Sequence, residues 1–140
     1  MNDVPVDLPM NSHRPRAAFA LLAFALALGA CNSSTAAGPP VPGGVSAVSG
    51  NNQFAVVSSA ASNPLVVLVT DQNGSPLPSA TVSWKVTSGG GTVTDTTSTT
   101  DASGYATMTY TAGTRTGAAT IVATVALLWT ASFTIYIEAP

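Results

Sequence analysis

From Val45 onward, short apolar runs alternate with clusters of Gly, Asn, Asp and Pro, and no stretch carries the spacing of an amphipathic helix. Short strands at regular spacing predict an all-β sandwich or barrel. Ala80 to Thr87 is the central example. Val82, Trp84 and Val86 share one face, while Thr81, Ser83, Lys85 and Thr87 share the other. The period-two rule places the first set in the core and the second in water. Leu65 to Thr70 is apolar on both sides, with Leu65, Val67 and Val69 opposed to Val66 and Leu68. Ala106, Met108 and Tyr110 are expected inward, as are Ile121, Ala123 and Val125. Trp129, Ala131, Phe133, Ile135 and Ile137 form the cleanest single face in the chain. Val82, Trp84, Val86, Phe133 and Ile135 are therefore the expected structural core.

Breaks between these runs have their own chemistry. Gly50-Asn51-Asn52 interrupts a first strand, splitting it into Val45–Val48 and Phe54–Val57. Asp71-Gln72-Asn73-Gly74 and Asp101-Ala102-Ser103-Gly104 read as turns, in which the Asp bonds its own backbone and Gly is free to take a positive φ. Pro76 and Pro78 keep their connection out of a sheet interior. Beyond Gly89-Gly90-Gly91, Thr92 to Thr100 is polar on both faces and is expected as a weak edge strand. Ala126-Leu127-Leu128-Trp129 stands where a polar hairpin tip would be expected. Trp129 is expected to fold inward and cap one end of the core. Leu127 and Leu128 cannot both follow it under strict alternation, so Leu127, Leu128 and Trp129 are a candidate contact patch.

The N-terminal part is built differently. His13, Arg14 and Arg16 precede an apolar run from Ala17 to Ala30, the pattern of a secretory signal peptide. That run is shorter than the roughly 20 residues of a spanning helix. It ends in Leu28-Gly29-Ala30-Cys31, which resembles the lipobox of bacterial lipoproteins. The resemblance implies cleavage before Cys31, lipidation of that residue, and attachment to a membrane through the lipid. Residues 1–30 are thus expected as a lipoprotein signal peptide, with Met10 rather than Met1 as the true start, because Asp3 and Asp7 sit poorly ahead of the basic region. Residues 31–44, rich in Ser, Gly and Pro, are expected as a tether, and residues 45–138 as the folded domain. Asn32 follows the Cys where an Asp would favour the inner membrane, so the expected location is the outer membrane of a bacterial envelope, on its periplasmic face or at the cell surface.

Within the domain, a set of motifs recurs in a recognisable order. They are Val48-Ser49-Gly50-Asn51-Asn52-Gln53, Pro64-Leu65-Val66-Val67 running to Val69-Thr70-Asp71, Gly74-x-Pro76, and Val82-x-Trp84-x-Val86. Gly89-Gly90-Gly91, Thr100-Asp101-x-x-Gly104-x-Ala106, and Gly117 before Ile121-Val122-Ala123-Thr124-Val125 complete the set. Together they resemble the bacterial immunoglobulin-like domain group 1, the intimin/invasin type, over about Val45 to Glu138. The resemblance implies an immunoglobulin-like antiparallel β-sandwich of the kind found in tandem on cell-surface adhesins; one copy is present in this sequence.

Composition narrows the function further. Charged residues make up 7% of the 140, against roughly 25% in an ordinary soluble domain, and the formal net charge is −2. No basic stripe is present, so nucleic acid is not an expected partner. The one Cys excludes an internal disulfide and a Cys-based zinc site. The one His, His13, lies in the expected signal peptide, which removes Ser-His and Cys-His nucleophiles and His-metal sites from the mature chain. Asp71, Asp95, Asp101 and Glu138 lie near turns or strand ends, and Asp71-x-Asn73-Gly74 lacks the distal Glu of a calcium loop. No catalytic residue, cofactor or metal is expected. The expected function is a lipid-anchored, non-catalytic module that binds, adheres or acts as a spacer. The alternative is an accessory subunit of an envelope assembly, docking through the Thr92–Thr100 edge or the 127–129 loop.

Overall fold

The computed structural model describes residues 38–140. Cys31, the expected signal peptide and the first part of the expected tether lie outside the described residues. Ten strands follow in order: β1 (Pro42–Ser49), β2 (Gln53–Val56), β3 (Leu65–Asp71), β4 (Thr81–Ser88), β5 (Thr92–Val93), β6 (Thr97–Thr99), β7 (Tyr105–Met108), β8 (Tyr110–Thr111), β9 (Gly117–Val125) and β10 (Trp129–Glu138). One sheet has the order β1-β3-β7 and the other β2-β10-β9-β4-β6, with β5 and β8 forming a short third ladder. Residues expected inward line the space between the two main sheets. Leu65, Val67, Val69, Val82, Ile121, Phe133 and Ile135 are fully buried, and Ala106, Met108, Tyr110, Ala123 and Val125 join them. Trp84 stacks obliquely on Phe133 with ring centroids 5.8 Å apart. Its indole N–H donates to Ser98 Oγ at 2.8 Å, so the largest core side chain buries no unpaired donor.

The first strand is split as the sequence predicts, and its two halves join different sheets. β1 pairs antiparallel with β3, whereas β2 crosses over and pairs parallel with β10. All other ladders are antiparallel, so the sandwich departs from the expected antiparallel pattern at this one pair. Gly50 makes the crossing feasible: its φ is +86°, and a Cβ there would meet the Pro64 carbonyl oxygen at 2.4 Å. Asn51 Oδ1 accepts the Thr134 N–H at 2.8 Å, holding the crossing onto β10. Gln53 is buried and clamps the underside. Its amide donates to the carbonyls of Gly50 and Asn63, and its Oε1 accepts the Asn63 N–H.

Three expectations are corrected. The tether was expected to run through Gly44, but the β1–β3 ladder already begins at Pro42, opposite Asp71. A proline is tolerated there because β1 is an edge strand and needs no donor on its open side. Thr92–Thr100 is not one edge strand. β5 pairs with β8 and β6 pairs with β4, because the segment passes from one ladder to the other between Val93 and Thr97. Val86, expected in the core, packs against it but is only partly buried, at the point where the β4–β9 register shifts between Val86 and Ser88.

Candidate functional site

The strand directions bring one set of features to a single end of the sandwich. β1 starts there at Pro42, and β3 ends there at Asp71. β4 starts beside the end of β9, with Val82 opposite Val125, and β10 starts opposite that same Val125. The hairpin tip Ala126-Leu127-Leu128 therefore stands beside the point where the chain enters the domain. Pro40, Pro42, Leu77, Pro78 and Ala126 line one shallow groove at this end. Glu138 closes β10 at the opposite end of the domain.

The tip breaks two local rules at once. Leu127 is 91% exposed and Leu128 80%. Ala126 and Leu127 both take positive φ, at 51° and 61°, in a turn closed by the Leu128 N–H to the Val125 carbonyl at 3.2 Å. Positive φ at both central positions is the signature of hairpin turns that favour Asn-Gly or Asp-Gly, and an L-residue with a Cβ in this region costs about 1–2 kcal/mol. The chain instead carries two apolar residues with side chains in water.

Trp129 does not cap the core as expected; it is 41% exposed. Its position on the inward face is right, since Ala131, Phe133, Ile135 and Ile137 on that face are all buried. However, Trp129 lies in the last pair of the sheet, where only the start of β1 faces it. The indole rests there and donates its N–H to the Pro42 carbonyl at 3.1 Å. Leu127, Leu128 and Trp129 thus form a contiguous exposed apolar surface.

The turn aspartates at this end act on their own backbone, as expected. Asp71 Oδ1 accepts the N–H groups of Asn73 and Ser75, and Asp101 Oδ1 those of Ser103 and Tyr105. The Ser75 N–H above all, with smaller help from Asn73 and Gly74, holds the Asp71 carboxyl below its ordinary value against the opposing effect of desolvation. The Asp101 turn packs on the Asp71 hairpin, with the Val69 N–H bonded to the Gly104 carbonyl. Among the described residues, no group of three or more His, Cys, Asp or Glu is placed to hold a metal ion.

Two further surfaces lie outside the expected contact patch. Phe54 and Tyr136 face each other across β2 and β10, both exposed, with centroids 5.4 Å apart. Their outward positions follow from the alternation that buries Gln53 and Ala55. At the end opposite the tip, Gly89–Thr92 and Ala112–Ala118, including Arg115, line an open groove. Tyr110 is buried beneath it and donates to the Gly90 carbonyl at 2.6 Å.

The two-sheet arrangement with a strand shared between sheets defines an immunoglobulin-like β-sandwich. Residues 45–135 match the family model for the bacterial Ig-like domain (group 1). The chain belongs to that family. Among curated proteins none matches the chain. Solved structures with a similar fold include the Yersinia pseudotuberculosis adhesin InvE (17% identity, TM-score 0.59, covering 71% of this chain and 33% of that one). Another is domains 4 and 5 of the S-layer protein SbsC (15%, 0.56, 72% and 48%). A third is the C-terminal fragment of intimin in complex with the intimin-binding domain of the translocated intimin receptor (22%, 0.54, 69% and 32%). The chain spans about half the length of the intimin D00-D0 and D0-D1 structures it matches (48% and 49%).

Proposed function

We propose that this protein is a non-catalytic module of the bacterial envelope, anchored by a lipid on Cys31 and acting as a spacer or binding domain held off the membrane. The observation that carries the reading is the polarity of the fold: the chain enters at Pro42 at one end of the sandwich and leaves at Glu138 at the other. A domain with its ends opposed transmits distance along its long axis. β10 alone, with ten residues, spans roughly 30 Å at about 3.4 Å per residue. The anchor is supported by Leu28-Gly29-Ala30-Cys31 after a basic-then-apolar leader. Acyl chains on Cys31 would each contribute about 0.8 kcal/mol per buried CH₂. The outer membrane is the proposed location, on the strength of Asn32.

The test is metabolic labelling with an alkyne fatty acid in the native host, comparing the full chain with Cys31→Ser. Label on the first and none on the second, together with a mass shift when the lipoprotein signal peptidase is inhibited, supports anchoring. An unlabelled, soluble chain refutes it. Protease shaving of intact cells then separates a surface position from a periplasmic one.

A further inference from the structure

We propose that the Ala126–Leu127–Leu128 tip, with Trp129, is a membrane-contact element seated in the headgroup region of the bilayer to which the chain is anchored. The inference rests on lipid attachment at Cys31. It adds a second contact, which fixes how the domain stands on the membrane.

Reach comes first. Pro42 lies eleven positions after Cys31, and a chain covers at most about 3.6 Å per residue. The end of the domain that carries Pro42 is therefore held within about 40 Å of the lipid-bearing residue. Trp129 is bonded to Pro42 itself. The patch lies at the end of the domain where the chain enters, beside exposed Val41, whereas Phe54 and Tyr136 pair on the last residues of β10, towards the far end.

The chemistry of the patch suits an interface. Leu127 and Leu128 offer nearly complete aliphatic side chains at the apex of a turn. Trp129 follows them in the chain and is partly exposed, and an indole favours the headgroup boundary. Its N–H already has a partner in the Pro42 carbonyl, so entering a drier medium leaves no donor unpaired. The positive φ values at Ala126 and Leu127 are locally unfavourable, and a binding role explains why non-glycine apolar residues hold them.

Charge does not drive the contact. Asp71 and Asp101 occupy this end, while Lys85 lies within β4 and Arg115 in the far groove. The contact is hydrophobic, so raising ionic strength should not weaken it, and it should form on zwitterionic lipid.

The test uses the full lipidated chain in phosphatidylcholine vesicles containing acyl chains brominated at known depths. The chain has two tryptophans, and Trp84 is 3% exposed inside the core. Trp129 emission should shift to the blue and be quenched most by shallow bromines, while a Trp129→Phe chain should show only the unquenched signal of Trp84. Leu127→Ser/Leu128→Ser should abolish the quenching, with the lipid on Cys31 still present by mass. An acylated protein whose Trp129 stays unquenched, or whose tip is covered by another protein instead, overturns the contact and leaves anchoring intact. A chain without the lipid overturns both.

Discussion

The indole of Trp129 is hydrogen-bonded to the carbonyl of Pro42, 87 residues earlier in the chain. This bond ties the β9–β10 hairpin to the place where the chain enters the domain. It also explains why an aromatic side chain on the inward face of β10 stays half-exposed: the facing sheet has only just begun at that level. Trp129→Phe removes the bond but not the ring. It should cost about 1 kcal/mol or less in chemical denaturation, because the site is open to water. A loss of several kcal/mol would show that the indole is a core element after all.

Replacing Ala126→Asn/Leu127→Gly restores the chemistry that this turn geometry prefers. The double variant should gain about 1–2 kcal/mol of stability, readable as a raised denaturation midpoint with unchanged slope. The same variant should lose vesicle contact. Gain on one axis and loss on the other is the pattern of a site kept for function at the expense of stability.

The core makes a sharper demand. Trp84 packs on Phe133 and is paired to Ser98. Trp84→Ala should cost about 3–5 kcal/mol, a large share of the roughly 5–15 kcal/mol expected of a single domain. An unchanged thermal melt would refute its central place.

Thr100 is buried, donates to the Leu77 carbonyl at 2.6 Å and accepts the Ala80 N–H at 2.8 Å. Thr100→Val keeps the shape and strands both backbone groups, so it should cost about 1–3 kcal/mol. Thr100→Ser keeps the hydroxyl and should recover most of that in the same denaturation assay.

Burial raises the Tyr110 phenol above its ordinary value of 10.0, with a hydrogen bond from the Gly113 backbone opposing the shift. A raised folded value means that the folded state holds the proton after the unfolded chain has lost it. The resulting stability is complete below about pH 10 and falls as pH rises through the folded value. Asp71 has the opposite sign: its lowered value favours the folded state above the ordinary carboxylate range, and that contribution fades as pH falls through the folded value. Alkaline melts of the full chain and Tyr110→Phe should converge below pH 10, apart from a constant offset, and differ in slope above it.

Much of this fold is legible in the sequence because a sheet reports its faces with period two. Leu65, Val67 and Val69, or Phe133 and Ile135, identify the inward side with no structural help. Partners are less legible. The parallel pairing of β2 with β10 depends on Asn51 reaching Thr134 and Gln53 reaching Asn63, contacts between segments whose local patterns say nothing of each other. Thr92–Thr100 reads as one strand because threonines carry no apolar marker of where the ladder changes. Trp129 reads as core because alternation records which way a side chain points, not whether another layer stands opposite. The candidate site was visible as an anomaly, two leucines in a turn, but its position next to Pro42 was not.

Orientation is the most direct test of the account. Spin labels placed singly at Leu128→Cys and Glu138→Cys, in the lipidated full chain on vesicles, report access to an apolar relaxer dissolved in the bilayer and to a polar one in water. The label at 128 should meet the bilayer relaxer and the label at 138 only the aqueous one, at every ionic strength tested. Equal aqueous access at both positions, or bilayer access at 138, would contradict a domain that stands on its Pro42 end with the leucine tip in the membrane.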